Sequence, residues 1–165
     1  MILGSNGYLI GGLNNANLNE FFETFVLPYP YSQSRKLLFD SLINYFHFLK
    51  ANYSPDEVWL DGSYVTNKAN PGDIDLIVFL PINDFITARA VWGEHRANHP
   101  DLDLYYEPEI SVQNWLDMSD FDLDAILDQR DYWLNQFGSD RTSIHKGIVR
   151  VRWSDIVDYL QGGVQ

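Results

Sequence analysis

Two aspartates two residues apart open an apolar segment, and their spacing suits the binding of a divalent cation. Asp73 and Asp75 flank Ile74 and precede the apolar run 76–80. Alternate residues of a strand point to the same side, so both carboxylates project together while Ile74 enters a core. Such a pair repels itself unless a cation lies between the charges, and Mg²⁺ combines one or two carboxylates with phosphate oxygens. The pair therefore predicts a site for a metal ion and a phosphate.

A simpler interpretation explains only one of these aspartates. Asp73 follows Pro71-Gly72 and is a typical turn residue at a strand entrance. Asp75 lies inside the apolar stretch, where a carboxylate without a partner costs several kcal/mol, on the order of the penalty for burying an unpaired charge. We therefore expect Asp75 to have a metal, a cation or hydrogen-bond donors as its partner.

A Gly-Ser turn precedes the two aspartates. Gly62 and Ser63 follow the apolar strand 58–60, and nine residues separate Ser63 from Asp73. Glycine lets the backbone approach a ligand closely, and serine adds a hydroxyl and an N–H, so the turn can hold phosphate oxygens. Alone, the dipeptide is equally an ordinary turn. Its combination with the carboxylate pair predicts a phosphate-binding function.

Together, these motifs resemble a known signature. The segments Asp61-Gly62-Ser63 and Gly72-Asp73-Ile74-Asp75-Leu76-Ile77-Val78 are similar to the signature of the polymerase-β-like nucleotidyltransferase superfamily. The resemblance is specific over residues 58–80, and it extends loosely to a group of small bacterial and phage proteins. It implies that the turn holds a nucleoside triphosphate, that Asp73 and Asp75 bind divalent metal, and that a third carboxylate on a later strand completes the site.

The third carboxylate implied by this resemblance has two candidates on the strand that follows Pro100. Asp103 lies between two leucines and is therefore placed further inside the strand, whereas Asp101 directly follows the proline. We choose Asp103 as the third metal ligand and keep Asp101 as the competitor. An exposed polar strand face that carries both aspartates and Tyr105 explains the same alternation without any site.

Several basic residues are placed to meet phosphates. Lys68 lies in the loop between the turn and the aspartates, and Arg141, His145 and Lys146 lie before the last strand. Four of the eleven Lys and Arg residues fall between positions 141 and 152. This concentration in an acidic chain predicts a small anion site, although an exposed basic strand edge accounts for it equally well.

Composition limits the classes of function. The 165 residues are 45% hydrophobic, contain no cysteine and carry a formal charge of −12. The size is that of a single domain, and the N-terminal sequence lacks the features of a signal peptide. We expect a cytoplasmic protein with no membrane partner. A long phosphodiester backbone meets net repulsion from this surface, so bulk DNA binding is not expected.

Hydrophobic periodicity indicates helices and strands interleaved along the chain. The predicted elements are an extended arm (1–18), a short helix from Leu18 that ends before Pro28, a helix (34–51), strands (58–60 and 74–80), a helix (83–97), a strand (101–107), a loop (108–118), a helix (120–137), a strand (147–153) and a short helix from Ser154. This order predicts an α+β fold of the nucleotidyltransferase type, with a small mixed sheet and helices packed on one face.

The resemblance and the carboxylates lead to an expected function. The chain is expected to be a nucleotidyltransferase that uses two Mg²⁺ or Mn²⁺ ions on Asp73, Asp75 and Asp103. It would transfer NMP from an NTP, with ATP as the expected substrate, to a protein, small-molecule or RNA-end acceptor. The alternative is a non-catalytic module of the same fold that binds a nucleotide or a partner, as in a toxin–antitoxin system. A metal-dependent hydrolase ranks last, because no histidine is placed to activate water.

Overall fold

The structure, a computed structural model, describes residues 1, 3–109, 120–139 and 146–162. Its helices and strands are β1 (Gly12–Asn15), α1 (Leu18–Phe25), α2 (Arg35–Asn52), β2 (Glu57–Asp61), β3 (Ile74–Leu80), α3 (Ile82–Ala90), α4 (Trp92–Asn98), β4 (Leu102–Pro108), α5 (Asp120–Phe137), β5 (Gly147–Arg152) and α6 (Trp153–Gly162). A single 3₁₀ turn at Gly62–Val65 directly follows β2. Most of the predicted elements are confirmed within two residues at each end.

The five strands form one mixed sheet in the order β1-β5-β2-β3-β4. Strand β2 runs antiparallel to both of its neighbours, whereas the outer pairs β1 with β5 and β3 with β4 are parallel. The α+β fold class with a small mixed sheet is therefore confirmed. Within the predicted arm (1–18), the described residues turn back at Ser5–Gly7, where Leu3 and Leu9 form an antiparallel bridge. The segment Gly12–Asn15 is a sheet strand, which was not predicted from the sequence.

One face of the sheet carries the main core. Strand β3 presents Ile74, Leu76 and Val78 to this side, and alternate residues of β2, β4 and β5 do the same. Helices α1, α2 and α6 cover it with buried aromatic and aliphatic side chains, among them Phe21 and Phe46. The period-two alternation of the strands separates this apolar side from the opposite side, which carries the acidic residues.

Helix α5 lies on the opposite face, which corrects the prediction that helices pack on one face only. Its Trp133 and Phe137 pack against Trp59, Ile77 and Phe79 in a second, smaller core. The apolar run of β3 is buried on both sides, and this pattern signals a sheet that is covered on both faces. The continuous run 74–80 therefore already indicated a sheet covered on both faces, contrary to the one-face prediction.

A buried ion cluster fixes α5 to the sheet. The Glu57 carboxylate, 1% exposed, forms ion pairs with Arg130 of α5 and with Arg150 of β5. The indole N–H of Trp59 donates to the same carboxylate at 3.0 Å, and the Arg130 guanidinium lies 4.4 Å above the ring of Phe79. Because two cations and a donor surround Glu57, its charge is compensated and α5 has a defined position.

The helices differ from the predictions in detail. Helix α1 starts with a capping box in which the side chains of Asn17 and Glu20 bond each other's backbone N–H groups. The single helix predicted over 83–97 is instead two helices, α3 and α4, which meet at Val91. None of the helices in the described ranges is long and apolar enough to cross a bilayer.

Candidate functional site

Three aspartates form a row across neighbouring strands on the face that carries α5. Asp61 ends β2, Asp75 is the second residue of β3, and Asp103 is the second residue of β4. The register pairs Asp61 with Asp75 and Asp75 with Asp103. Directly paired residues of adjacent strands place their side chains about 5 Å apart on the same face. Asp73 lies just before β3 and adds a fourth carboxylate to the group.

Asp75 is the centre of this group. Burial raises the pKa of its carboxyl to about 6, and repulsion from Asp73, Asp61 and Asp103 adds to the increase, while Lys146 opposes it. None of the described residues donates a hydrogen bond to the Asp75 carboxylate or forms an ion pair with it. A partly buried carboxylate surrounded by like charges is an unfavourable arrangement unless a cation joins it, and such arrangements are typical of functional sites.

Asp61 is the member of the row that the sequence analysis missed. It is 2% exposed, and Lys146, itself nearly buried, contacts its Oδ2 at 2.9 Å. Burial nevertheless raises the pKa of Asp61 to about 6, against the opposing effect of Lys146. Its Oδ1 is also buried and accepts no hydrogen bond of normal geometry from the described residues. The sequence does contain an indication that Asp61 belongs to the site, because Asp61 ends an apolar strand immediately before the Gly-Ser turn.

Gly62 brings the turn against the central carboxylate. Its φ of +76° lies in the left-handed region, and a Cβ at this position would lie 1.7 Å from the Asp75 Oδ2. A side chain is excluded both by the backbone conformation and by this contact. Gly62 therefore allows close approach between the turn and Asp75.

A buried arginine holds the loop that carries the turn. Arg35, at the start of α2, is fully buried and donates to the carbonyls of Phe25, Tyr64, Thr66 and Lys68 at 2.6–3.1 Å. Its guanidinium also lies over two tyrosine rings. All five of its N–H donors meet carbonyl oxygens, so the loop over residues 64–68 is fixed to α1 and α2. The sequence analysis did not identify this role.

The row opens into a cleft of about 880 Å³. Its walls include seven of the eight residues that the sequence analysis assigned to the site: Gly62, Ser63, Lys68, Asp73, Asp75, Asp103 and Lys146. The eighth, Arg141, and the neighbouring His145 lie outside the described residues. The N-terminal arm contributes Asn6 and Tyr8 to the wall, and α5 contributes Trp133 and Phe137. The structure thus brings segments from both ends of the chain to one cleft.

The structure separates the two candidates for the third carboxylate. Asp103 lines the cleft, where its Oδ1 pairs with Arg96 at 2.7 Å and its Oδ2 accepts from the Tyr105 hydroxyl at 2.9 Å. Asp101 precedes β4, and the hydroxyl of Ser41 on α2 donates to it at 2.6 Å. Asp101 therefore belongs to the opposite side of the sheet, and Asp103 is the carboxylate that faces the cleft.

The donor set fits a divalent cation at Asp73 and Asp75. Both carboxylates line the cleft, and hard oxygen ligands of this kind are those that Mg²⁺ and Mn²⁺ prefer. Among the described residues, the repulsion that Asp75 meets from three aspartates and the unpaired oxygen of Asp61 favour the binding of a cation here. The fit is weaker at Asp103, because an arginine and a tyrosine already contact its two oxygens.

Fold and site together define an α+β protein with a carboxylate-lined cleft on one face of its sheet. The chain belongs to the family of unknown function DUF6932, whose family model matches residues 1–152. That match includes all strands of the sheet and every residue of the cleft described above. No curated protein and no solved structure matches the chain.

Proposed function

We propose that this protein is a Mg²⁺-dependent nucleotidyltransferase that transfers NMP from an NTP to a hydroxyl of a protein, small-molecule or RNA-end acceptor. The observation that carries the proposal is the row of carboxylates on β2, β3 and β4 beside the Gly62-Ser63 turn in one cleft. ATP is the nucleotide we would test first. The lack of cysteine is consistent with action in the reducing cytoplasm.

Each residue has a defined part in this proposal. Asp73 and Asp75 would hold the cation, and Gly62 and Ser63 would contact the phosphates through backbone N–H groups and the hydroxyl. Lys68 and Lys146 line the same cleft and would add positive charge near the triphosphate. When bound, the metal would supply neutralisation of the triphosphate and activation of the acceptor hydroxyl for in-line attack on the α-phosphate, with release of pyrophosphate.

A second candidate function is a non-catalytic module that binds a nucleotide, for example as an antitoxin or regulator. The observation that favours it is the state of Asp103, whose two oxygens are bonded to Arg96 and Tyr105. A catalyst that uses three carboxylates for two metal ions needs Asp103 free, whereas a binding module does not.

The shared part of both functions is tested by calorimetric titration of ATP into the protein with Mg²⁺ present. We expect metal-dependent binding that is lost in the double variant Asp73→Asn, Asp75→Asn. The matched control is Asp101→Asn, which changes a carboxylate on the other side of the sheet and should bind ATP like the unmodified protein. If ATP does not bind, or if the double variant binds it equally well, the cleft is not a metal-nucleotide site.

Intact-mass spectrometry separates the two functions. Candidate acceptors are incubated with the protein, Mg²⁺ and each NTP, and only a transferase leaves an acceptor that is heavier by one nucleotidyl group. The Asp75→Asn variant serves as the control for non-enzymatic addition. Nucleotide binding without any adduct would favour the module.

A further inference from the structure

Asp103, the third carboxylate of the row, is already paired with a cationic side chain of the protein itself. Arg96, on α4, places its Nη2 at 2.7 Å from the Asp103 Oδ1, and the Tyr105 hydroxyl donates to Oδ2 at 2.9 Å. A divalent cation at Asp103 would lie beside a guanidinium and would be repelled by it.

The other end of the row has the same arrangement. Asp61 is paired with Lys146, just as Asp103 is paired with Arg96, whereas Asp75 between them has no cationic partner at ion-pair distance among the described residues. The four aspartates contribute −4 and the two paired cations +2, which leaves −2 on these six side chains. One divalent cation at the centre of the row neutralises this charge.

We propose that Arg96 controls how many metal ions the cleft takes. The resting protein binds one divalent cation at Asp73 and Asp75, and a second ion binds at Asp103 only after Arg96 has left it. This inference rests on the metal site of the proposed function and adds a residue, Arg96, that lies on neither the Gly-Ser turn nor the carboxylate strands.

Arg96 is suited to move. Its side chain is 41% exposed, and its guanidinium carbon also lies 4.9 Å from the centroid of the Trp92 ring. A partly exposed ion pair of this kind contributes little to stability, about 0–1 kcal/mol. A guanidinium binds phosphate with geometry as favourable as that with a carboxylate. A polyphosphate in the cleft would therefore offer Arg96 a new partner and free Asp103 for a second cation.

The number of bound ions is measured by equilibrium dialysis against Mn²⁺, without nucleotide, in a buffer of moderate salt. We expect about one tightly bound Mn²⁺ per unmodified chain and about two in Arg96→Gln and Arg96→Met, because both changes remove the charge beside Asp103. Two replacements are used so that a folding defect in one still leaves a result. Adding Asp103→Asn to either variant should return the count to about one.

Arg89→Gln is the matched control. Arg89 stacks on the same Trp92 ring, 5.0 Å from the centroid, but forms no ion pair with a carboxylate of the row. The Arg89→Gln variant should bind one Mn²⁺, as the unmodified protein does. A higher count in the Arg96 variants is then not a general effect of losing a positive charge. One ion in both Arg96 variants, or two tight ions in the unmodified protein, would overturn this inference while leaving the metal site intact. Failure of every variant to bind Mn²⁺ would overturn the proposed function as well.

Discussion

At the scale of single residues, the site is held in an arrangement that works against folding. Burial and three neighbouring carboxylates raise the pKa of Asp75 to about 6, above its usual value. A group whose pKa is raised by folding favours the folded state in its protonated form, and this contribution is lost as the pH rises through the folded-state pKa. The unmodified, metal-free protein should therefore lose stability between about pH 4 and pH 7 through this group.

Asp75→Asn should consequently stabilise the metal-free protein. Asparagine removes the negative charge without changing the size of the side chain, so we expect a gain of about 1–2 kcal/mol in unfolding free energy at about pH 7.5, discounted for partial solvent screening. The gain should shrink as the pH falls towards about 4, where Asp75 is mostly protonated in the folded state and about half protonated in the unfolded chain. Urea unfolding in the presence of a chelator measures both effects.

Asp101→Asn provides the comparison for this stabilisation, because Asp101 accepts a hydrogen bond from Ser41 and lies away from the row. It should give no gain at either pH. A metal-free Asp75→Asn protein that is no more stable than the unmodified chain would show that the carboxylates do not repel each other as described.

Gly62→Ala should damage the site through a single methyl group. The added Cβ would overlap the Asp75 carboxylate at 1.7 Å, and φ at +76° disfavours any side chain. We expect a loss of about 2 kcal/mol or more in unfolding free energy together with loss of metal-dependent ATP binding. Gly72→Ala is the control, since a Cβ there meets nothing within 4 Å, and it should change stability little. Equal effects of the two changes would contradict the close contact.

At the scale of elements, the turn loop depends on α2 for its position. Arg35 is the link, because its five hydrogen bonds join the end of α1 and the loop 64–68 to the first turn of α2. The Lys68 carbonyl takes two of these bonds, so the loop that leads to Asp73 is oriented from its backbone. The charged residue thus organises the cleft without lining it.

Arg35→Met should destabilise the fold by roughly 3–5 kcal/mol, because it leaves several buried carbonyls without donors. Arg35→Lys keeps the charge but has neither the reach nor the fork geometry for four carbonyls, so we expect a loss of about 2 kcal/mol or more. The neighbouring Lys36→Gln breaks only an exposed pair with Asp40 and should cost less than about 0.5 kcal/mol. Urea unfolding of the three variants measures these differences, and similar values for all three would argue against the anchoring role.

At the scale of the whole molecule, the surface charge limits the partners. A formal charge of −12 on 165 residues repels other polyanions over most of the surface. A divalent cation in the cleft would reduce this repulsion locally, which suits a small phosphate compound better than a long nucleic acid. The same charge disfavours association with an anionic membrane surface.

We therefore expect no retention of duplex DNA or RNA in a gel-shift assay at micromolar protein and about 0.15 M salt, with or without Mg²⁺. A single-stranded tRNA-like end should be included as a separate probe, because a contact confined to the cleft would involve only a few phosphates. Retention of a random duplex that weakens steeply as the salt concentration rises would contradict the prediction. It would indicate a local basic surface despite the negative net charge.

The sequence by itself determined the elements and most of the cleft. Local patterns depend on short-range sterics and on the burial of alternate or periodic side chains, so the helix that starts at Leu18, the strand 74–80 and the Gly62 turn could be predicted. The choice of Asp103 over Asp101 also followed from local burial. The division of α3 from α4 at Val91 was not predicted, since no proline interrupts residues 82–98 and Gly93 lies two residues beyond the division.

The tertiary structure alone decided which charges meet. Asp61 and Lys146 are 85 positions apart, the Arg35 guanidinium bonds the backbone carbonyl of Lys68, and Arg96 of α4 pairs with Asp103 of β4. Such contacts depend on strand order and register, because β5 lies between β1 and β2 rather than at its place in the chain order. The position of α5 on the second face of the sheet also depends on contacts between residues that are distant in the sequence. Strand register is a property of the whole sheet, so the full row of aspartates and its two internal cations emerged only in the folded molecule.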